Sequence, residues 1–135
     1  MAKKSENRKR LVFTILDELF NEGNLSIIDG TCAENITVNV SGAQEDFHGI
    51  EVFKRYVMSF HNAFSDIHLH IDEIHEEGNL VDAHATMTAT NVGKFLGIPA
   101  TEKEVTLEPV FFLKFDSDGK VVEFSQEMDI EGLME

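Results

Sequence analysis

The apolar residues in the first half of the chain recur at helical spacing. Positions 12, 15, 16, 19 and 20 form one apolar stripe, which predicts an amphipathic helix that ends at Gly23. A second stripe at positions 50, 53, 57, 60 and 64 has spacings of 3, 4, 3 and 4 residues and predicts a helix over about 49–64. A short apolar patch at 25–28 predicts a small helix between them, ending near Gly30. The chain therefore begins with helices that each bury one face.

Alternation with a period of two marks the strands, most of which lie in the second half. The predicted strands are 36–40, 67–72, 81–90, about 105–115 and about 120–129. The second and third of these form a hairpin. If Gly78 takes the left-handed position of a three-residue loop, His75 pairs with Asn79 and His70 pairs with His84. All apolar residues of the hairpin then share one face, which favours this register.

The order of these elements predicts the fold class. Helices, a strand, a long helix and then a long meander indicate an α+β protein. We expect a cone-shaped, strongly curved antiparallel sheet with three helices of the N-terminal half packed on its concave face. No Pro- or Gly-rich linker divides the chain, so residues 1–135 are predicted to form a single domain. Such a cone encloses a cavity that is mostly apolar, with a few polar groups that converge in it.

Charge narrows the range of partners. The net charge is −14, and residues 1–10 hold five basic side chains against one acidic one, so the remainder carries −18. An acidic body repels phosphate backbones, and the basic head is interpreted as the solvated start of the first helix. No apolar run reaches membrane-spanning length, and Asp17 and Glu18 end the run 11–16 before it reaches the length of a secretory core. We expect a soluble, cytoplasmic protein that binds neither nucleic acid nor membranes.

Polar residues on otherwise apolar faces are the candidates for chemistry. Asn91 has an odd number, like the apolar residues of 81–89, so on a continuous strand it lies on their face and is expected to point inward. On strand 36–40 this odd–even parity leaves open whether the face with Thr37 and Asn39 or the opposite face points inward. On the last strand, one face carries Glu123, Ser125, Glu127 and Asp129, and the other carries Phe124, Gln126 and Met128. A carboxylate in an apolar pocket has a raised pKa and can act as a general acid or base.

The histidines and the single cysteine are the remaining candidates for chemistry. His68, His70 and His84 could share a sheet face with Asp72 and Asp82, and these are ligand types for zinc or iron. That face is the polar side of the hairpin, which favours a solvated or subunit-contacting role, and no metal site is predicted. Cys32 excludes an internal disulfide and is interpreted as a small buried apolar residue.

Several stretches together resemble a known family. They are residues 19–25, 49, 63–68, 77–81, 88–99 and 119–123. The chain resembles the SnoaL-like polyketide cyclases, within the nuclear-transport-factor-2-like superfamily, from about residue 8 to residue 133. The Phe95-Leu96-Gly97-Ile98-Pro99 stretch is the most specific piece. The resemblance implies an α+β cone and a homodimer built through the sheet. It also implies an enzyme that closes a ring by an intramolecular aldol reaction, without a metal or organic cofactor.

The resemblance also assigns residues. Asp129 matches the family's acid/base carboxylate on the last strand, so Asp129 and Asn91 are the expected catalytic residues. Asn91 stands where the family commonly has histidine, Asn39 stands where a polar residue is frequent, and Ser125 replaces a common tryptophan. The expected ligand-binding residues are Asn39, Phe53, Val57, Phe60, Met87 and Phe95.

These assignments predict a cofactor-free enzyme that acts on a small hydrophobic carbonyl compound by acid/base proton transfer at carbon, of the cyclase or isomerase type. The alternative is a non-catalytic domain that binds a small apolar ligand or dimerises. A steroid-isomerase-type site would need a carboxylate near position 39 and a tyrosine donor, for which only Tyr56 exists. An epoxide-hydrolase-type site would need an arginine between two aspartates, for which only Arg55 remains after residue 10.

Overall fold

The structure is a computed structural model that describes residues 2–43 and 45–128, with side chains from Asn7 onwards. This part of the chain forms three helices, one π-helical turn and seven strands. They are α1 (Ala2–Leu16), the π-helical turn (Asp17–Asn21), α2 (Ile27–Thr31), β1 (Cys32–Val40), β2 (Phe47–His48), α3 (Ile50–Ala63), β3 (Phe64–Glu77), β4 (Leu80–Asn91), β5 (Glu104–Leu107), β6 (Val110–Phe115) and β7 (Val121–Glu127). Within it, no helix combines the length and apolar character that crossing a bilayer requires.

The predicted α+β class is confirmed, with a curved, unclosed sheet and the helices on its concave face. The strand order is β2-β1-β7-β6-β4-β3, and β5 pairs with β4 outside this path. Among the described strands, every pairing is antiparallel except that of β1 with β7, which is parallel. The sheet is therefore mixed, and the prediction of an antiparallel sheet was wrong on this point. Alternation of residues identifies strands but does not reveal which strand a distant one meets.

The β3–β4 hairpin is present, but its predicted loop was wrong. Glu77 pairs with Leu80, so the loop has two residues instead of three, and His75 does not pair with Asn79. Gly78 does take the left-handed conformation, with φ of +61°. It stands first in the loop, where a type II′ turn favours glycine. The tighter loop shifts the whole register of the hairpin.

Two further register shifts lie within β3, between residues 65 and 68 and between residues 71 and 73. The observed partners are Thr86 for His70 and Glu73 for His84. The predicted His70–His84 pair is therefore wrong. Extra residues in one strand bend it and increase its twist, which helps the sheet curve around the helices. The apolar positions of β3 step by three residues at these points, from Phe64 to Ile67 and from Ile71 to Ile74, whereas the predicted strand 67–72 was read as regular alternation.

The predicted apolar stripes are buried, except for Ile50 at the start of α3, which is only partly buried. The stripe of α1 and its π-helical turn is fully buried at positions 12, 15, 16, 19 and 20, and so are Phe53, Val57 and Phe60 of α3. On β1 the apolar residues 36, 38 and 40 face the core, so Thr37 and Asn39 lie on the outer face. This settles the orientation that parity left open.

The basic head contacts the tip of the hairpin. The Arg8 guanidinium donates to the Glu76 carboxylate at 3.3 Å and to the Gly78 carbonyl at 2.9 Å. Its Cζ also lies 5.7 Å from the ring centroid of Phe115, a cation–π distance. Arg8 thus connects α1 to the sheet. The sequence analysis interpreted the basic head as solvated and did not predict this contact.

Candidate functional site

Aromatic rings fill the space between the helices and the sheet. We call this cluster the aromatic interior, and its members are Phe20, Phe47, Phe53, Tyr56, Phe60, Phe64, Phe95, Phe111 and Phe124. Neighbouring ring centroids are 4.7 to 6.5 Å apart, the range in which offset and edge-to-face pairs attract. Phe60 is central, with Phe64 at 4.7 Å and Phe20 and Phe95 at 5.3 Å. The rings pack against one another, and all of them except Phe47 are buried.

The structure brings together five of the six predicted ligand-binding residues. Phe53, Val57, Phe60, Met87 and Phe95 are all buried in the core. The sixth, Asn39, lies on the outer face of β1, where its amide donates to the Asp46 carboxylate. The sheet lies between the Asn39 side chain and the interior, so the fold does not support a contact between Asn39 and a ligand bound there.

One pair of polar side chains lies within the aromatic interior. The Tyr56 hydroxyl donates to Gln126 Oε1 at 2.7 Å, and Gln126 is completely buried. The Gln126 amide nitrogen lies 3.5 Å from the Met128 sulfur. Burial raises the pKa of Tyr56, so its hydroxyl stays protonated and acts as a donor. The pair thus provides a neutral hydroxyl and a primary amide in apolar surroundings.

Sequence reasoning did not select this pair, although signals for both residues existed. Gln126 stands between Phe124 and Met128 on the face of β7 that points inward, and a polar residue in an apolar row is unusual. Tyr56 lies three residues after Phe53 and four before Phe60, within the buried stripe of α3. Their meeting depends on how α3 crosses the sheet, which no local pattern shows.

Asn91 is buried, as its parity predicted, but its amide contacts backbone groups. Its Nδ2 donates to the carbonyls of Ala63, at 3.1 Å, and Gly93, at 3.0 Å. Its Oδ1 accepts from the Thr101 backbone N–H at 2.8 Å. Both amide hydrogens and the oxygen are thus used to join the end of α3 to the segment after β4. The other expected catalytic residue, Asp129, lies outside the described residues.

A surface cleft of about 420 Å³ reaches the edge of the aromatic interior. Phe20 and Phe64 line it and also belong to the ring cluster, while His61 and Asp66 are among its polar lining residues. The His61 imidazole Nε2 contacts the Leu19 carbonyl at 2.7 Å, at the π-helical turn. Asp66 has a φ of +52° at the first register shift of β3. Phe20 and Phe64 thus belong both to the wall of this cleft and to the aromatic interior.

Three histidines of the hairpin lie near a carboxylate, and the rings of His75 and His84 are neighbours, with centroids 6.1 Å apart. The nitrogen–oxygen distances are 3.6 Å for His70 and Asp72, 3.5 Å for His75 and Glu73, and 3.1 Å for His84 and Asp82. Among the described residues, no three or more His, Cys, Asp or Glu side chains are arranged to hold a metal ion. The two-histidine pairing on which the metal hypothesis depended is absent from the observed register.

The described residues do not build either alternative site. Arg55 is exposed on α3, so it is not in position to bridge two aspartates inside the cone. Position 39, where an isomerase-type base would stand, faces outward on β1, away from the buried Tyr56.

Cys32 is buried at the start of β1, where its sulfur lies 3.7 Å from the Thr31 hydroxyl. Burial raises the pKa of its thiol to about 11. The thiol is therefore protonated at neutral pH and is a poor nucleophile, consistent with the apolar role expected for it.

Alkylation of Cys32 by iodoacetamide at pH 8 is expected to be at least ~10-fold slower in the folded protein than in urea, because an unfolded thiol has an ordinary pKa near 8.5. In the folded protein the rate should rise as the pH approaches about 11. Mass spectrometry measures both rates at a single site, since the chain has one cysteine. Equal rates in the two states would contradict the prediction.

Comparison with known proteins gives a consistent family. The family model described as SnoaL-like polyketide cyclase matches residues 10–135. No curated protein is significantly similar in sequence.

Solved structures of similar proteins cover nearly the whole chain. A proposed SnoaL-like polyketide cyclase from Jannaschia sp. CCS1 is 21% identical with a TM-score of 0.85, covering 94% of this chain and 88% of that one. AclR, a proposed hydroxylase from Streptomyces galilaeus, is 27% identical with a TM-score of 0.77, covering 96% and 93%. An LEH-like epoxide hydrolase from M. tuberculosis is 15% identical with a TM-score of 0.70, covering 94% and 86%. Proteins with this fold are thus described as a cyclase, a hydroxylase and an epoxide hydrolase. The fold alone therefore does not identify the reaction, which has to be inferred from the site.

Proposed function

Because the chain belongs to the SnoaL-like polyketide cyclase family, we propose that it is an enzyme that acts on a hydrophobic carbonyl compound by proton transfer at carbon. The observation that carries the proposal is the aromatic interior with a buried hydroxyl–amide pair inside it. Flat apolar substrates pack well on such rings, and neutral hydrogen-bond donors suit a carbonyl oxygen. The reaction is of the cyclase or isomerase type, as in the family.

The proposed reaction begins with a carboxylate, assigned by the family resemblance to Asp129, removing a proton from the carbon next to the carbonyl. The electron pair of the broken C–H bond moves to the carbonyl oxygen and gives an enolate, whose charge hydrogen-bond donors stabilise. In a cyclisation the enolate carbon then bonds to a second carbonyl carbon of the same molecule, and the π electrons of that carbonyl move to its oxygen, which becomes an alkoxide. In an isomerisation the substrate carries a β,γ double bond, and the dienolate is protonated at the γ carbon. The protonated carboxyl gives its proton to the alkoxide oxygen or to the γ carbon and is again a carboxylate.

Deuterium exchange tests this proposal without knowledge of the natural substrate. The probe is 2-acetonaphthone, an apolar aryl ketone, kept in D₂O with the protein at neutral pH. Uptake of deuterium at the methyl group, followed by NMR, is expected to be faster with the folded protein than in buffer alone. Heat-unfolded protein is the control and should leave the buffer rate unchanged. A rate equal to that of buffer, with the probe shown to be bound, would contradict the enzyme proposal.

A non-catalytic binding domain for a small apolar ligand is the second candidate. It is favoured by Asn91, since a residue whose amide is used entirely on backbone partners has no group left for a substrate. Binding of the probe without exchange is the outcome that this candidate predicts.

We also propose the homodimer that the family resemblance implies, formed through the outer face of the sheet. The exposed histidines and carboxylates of β3 and β4 lie on this face. Light scattering over a range of concentrations tests this assembly. A constant monomer mass would overturn it.

A further inference from the structure

We propose that Gln126 donates the hydrogen bond that holds the substrate's carbonyl oxygen, that Tyr56 is the positioning residue for its amide, and that the Met128 side chain occupies the carbonyl's place until it binds. This inference rests on the proposed function for its substrate class. It adds a carbonyl-binding group that the sequence analysis did not select. It concerns binding, so it can be measured separately from turnover.

The hydrogen bonds of the two buried amides carry the argument. Asn91 places its Nδ2 within 3.1 Å of two backbone carbonyls. Gln126 is equally buried, yet within the described part of the chain the one acceptor for its Nε2 is the Met128 sulfur at 3.5 Å. A thioether is a weak acceptor, and buried amide donors normally find oxygen. The Gln126 amide is thus the group that gains most from a carbonyl oxygen brought in by a ligand.

Tyr56 determines which way that amide faces. Its hydroxyl donates to Gln126 Oε1 at 2.7 Å, so the oxygen of the amide is occupied from the side of α3. The Nε2 group is consequently turned toward Met128. Donation to the oxygen also polarises the amide and makes its N–H groups better donors, since hydrogen bonds in a chain strengthen one another.

Met128 is suited to move aside while its backbone stays in place. Its backbone N–H donates to the Ser41 hydroxyl at 2.9 Å, and that hydroxyl donates to the Met128 carbonyl at 3.0 Å. The side chain itself is unbranched, with three rotatable bonds, and adopts new rotamers readily. A change of rotamer at Met128 would free the Gln126 amide donor while the contacts with Ser41 hold the backbone.

The site selects neutral carbonyl compounds. Tyr56, Gln126 and Met128 are all uncharged, and the surrounding side chains are aromatic rings. A carboxylate would lose its hydration here without gaining a cation, whereas a ketone, aldehyde or ester needs only a donor. The inferred ligand class is therefore an apolar ketone or ester.

Infrared spectroscopy of 2-acetonaphthone, labelled with ¹³C at the carbonyl, tests the inference. In the wild-type protein, binding is expected to shift the carbonyl stretch to lower frequency than in an apolar solvent. In Gln126→Leu the shift should disappear and the dissociation constant should rise about tenfold, the equivalent of one neutral hydrogen bond. In Tyr56→Phe the probe should still bind, but with a smaller shift and a broader band. Glu127→Gln, a change at the exposed neighbour of Gln126 on β7 that leaves the interior intact, is the matched control and should retain the shift.

Each outcome separates this inference from the proposed function. A shifted band without deuterium exchange supports the Gln126 site and removes the enzyme proposal. Exchange with an unshifted wild-type band, or with the same band in Gln126→Leu, overturns the Gln126 site and leaves the enzyme proposal standing. Failure of the wild-type protein to bind the probe up to its solubility limit also overturns the inference. If Gln126→Leu does not fold, as judged by circular dichroism, Gln126→Met is measured in its place, and the wild-type band alone still decides.

Discussion

Replacement of Asp129 by Asn is expected to slow deuterium exchange into 2-acetonaphthone by ~10²–10⁴-fold, the usual contribution of a general acid or base. Asn has nearly the same shape as Asp, so binding of the apolar probe should change little. Its amide cannot accept a proton from carbon at neutral pH, however. The exchange rates of the two proteins, measured by NMR at a saturating probe concentration, give the effect directly.

The matched control is Glu127→Gln, which removes one carboxylate from an exposed position on β7. It changes the net charge by the same amount as Asp129→Asn but should leave the exchange rate within a factor of two. Equal rates in the Asp129→Asn variant and the wild-type protein would show that the family's carboxylate role does not transfer to this chain. Equal loss in both variants would indicate a general effect of charge instead of a base at residue 129.

The elements of the fold were predictable because burial imposes a period on the sequence. The stripe of α3 packs Phe53 and Phe60 against the sheet, and their spacing alone indicates the helix and its buried face. The register of the hairpin was not predictable in the same way. An extra residue in β3 appears in the sequence only as one step of three residues between apolar positions, such as that from Ile71 to Ile74, and this step fixes neither the loop nor the pairing partners. The parallel pairing of β1 with β7 was likewise not predictable, because it depends on the path of the whole chain between the two strands.

The site was predictable in part for a related physical reason. Parity showed that Asn91 points inward, since a strand turns alternate side chains to one face. What a buried polar group contacts depends on the elements that meet there, and the Asn91 amide meets the end of α3 and the backbone of Thr101. For the same reason, Tyr56 and Gln126, 70 residues apart in sequence, become partners only in the folded chain.

Replacement of Asn91 by Asp is expected to lower the free energy of unfolding by about 3–5 kcal/mol at pH 7, the range for an uncompensated buried charge. Asp has the same shape, but its second oxygen would face the carbonyls of Ala63 and Gly93, which now accept hydrogen bonds from the amide. Burial and these carbonyls would raise the pKa of the new carboxyl above its unfolded value near 3.9. The raised pKa makes the loss small below about pH 4, where both states are protonated, and makes it grow as the pH increases.

Urea unfolding of Asn91→Asp at pH 7 and pH 4 measures this effect, with Asn39→Asp as the control. Asn39 is the other asparagine that the sequence selected, and it is exposed on the outer face of β1 beside Asp46. Its replacement adds the same charge in water and should change stability by less than about 1 kcal/mol, as exposed charges usually do. A similar small change in both variants would mean that the backbone contacts of Asn91 contribute little, and its amide would then be available for a ligand. A large, pH-dependent loss of unfolding free energy in Asn91→Asp alone would instead show that Asn91 is a structural residue. Any activity lost on replacing Asn91 would then result from unfolding, and Gln126 would remain as the group that binds the substrate carbonyl.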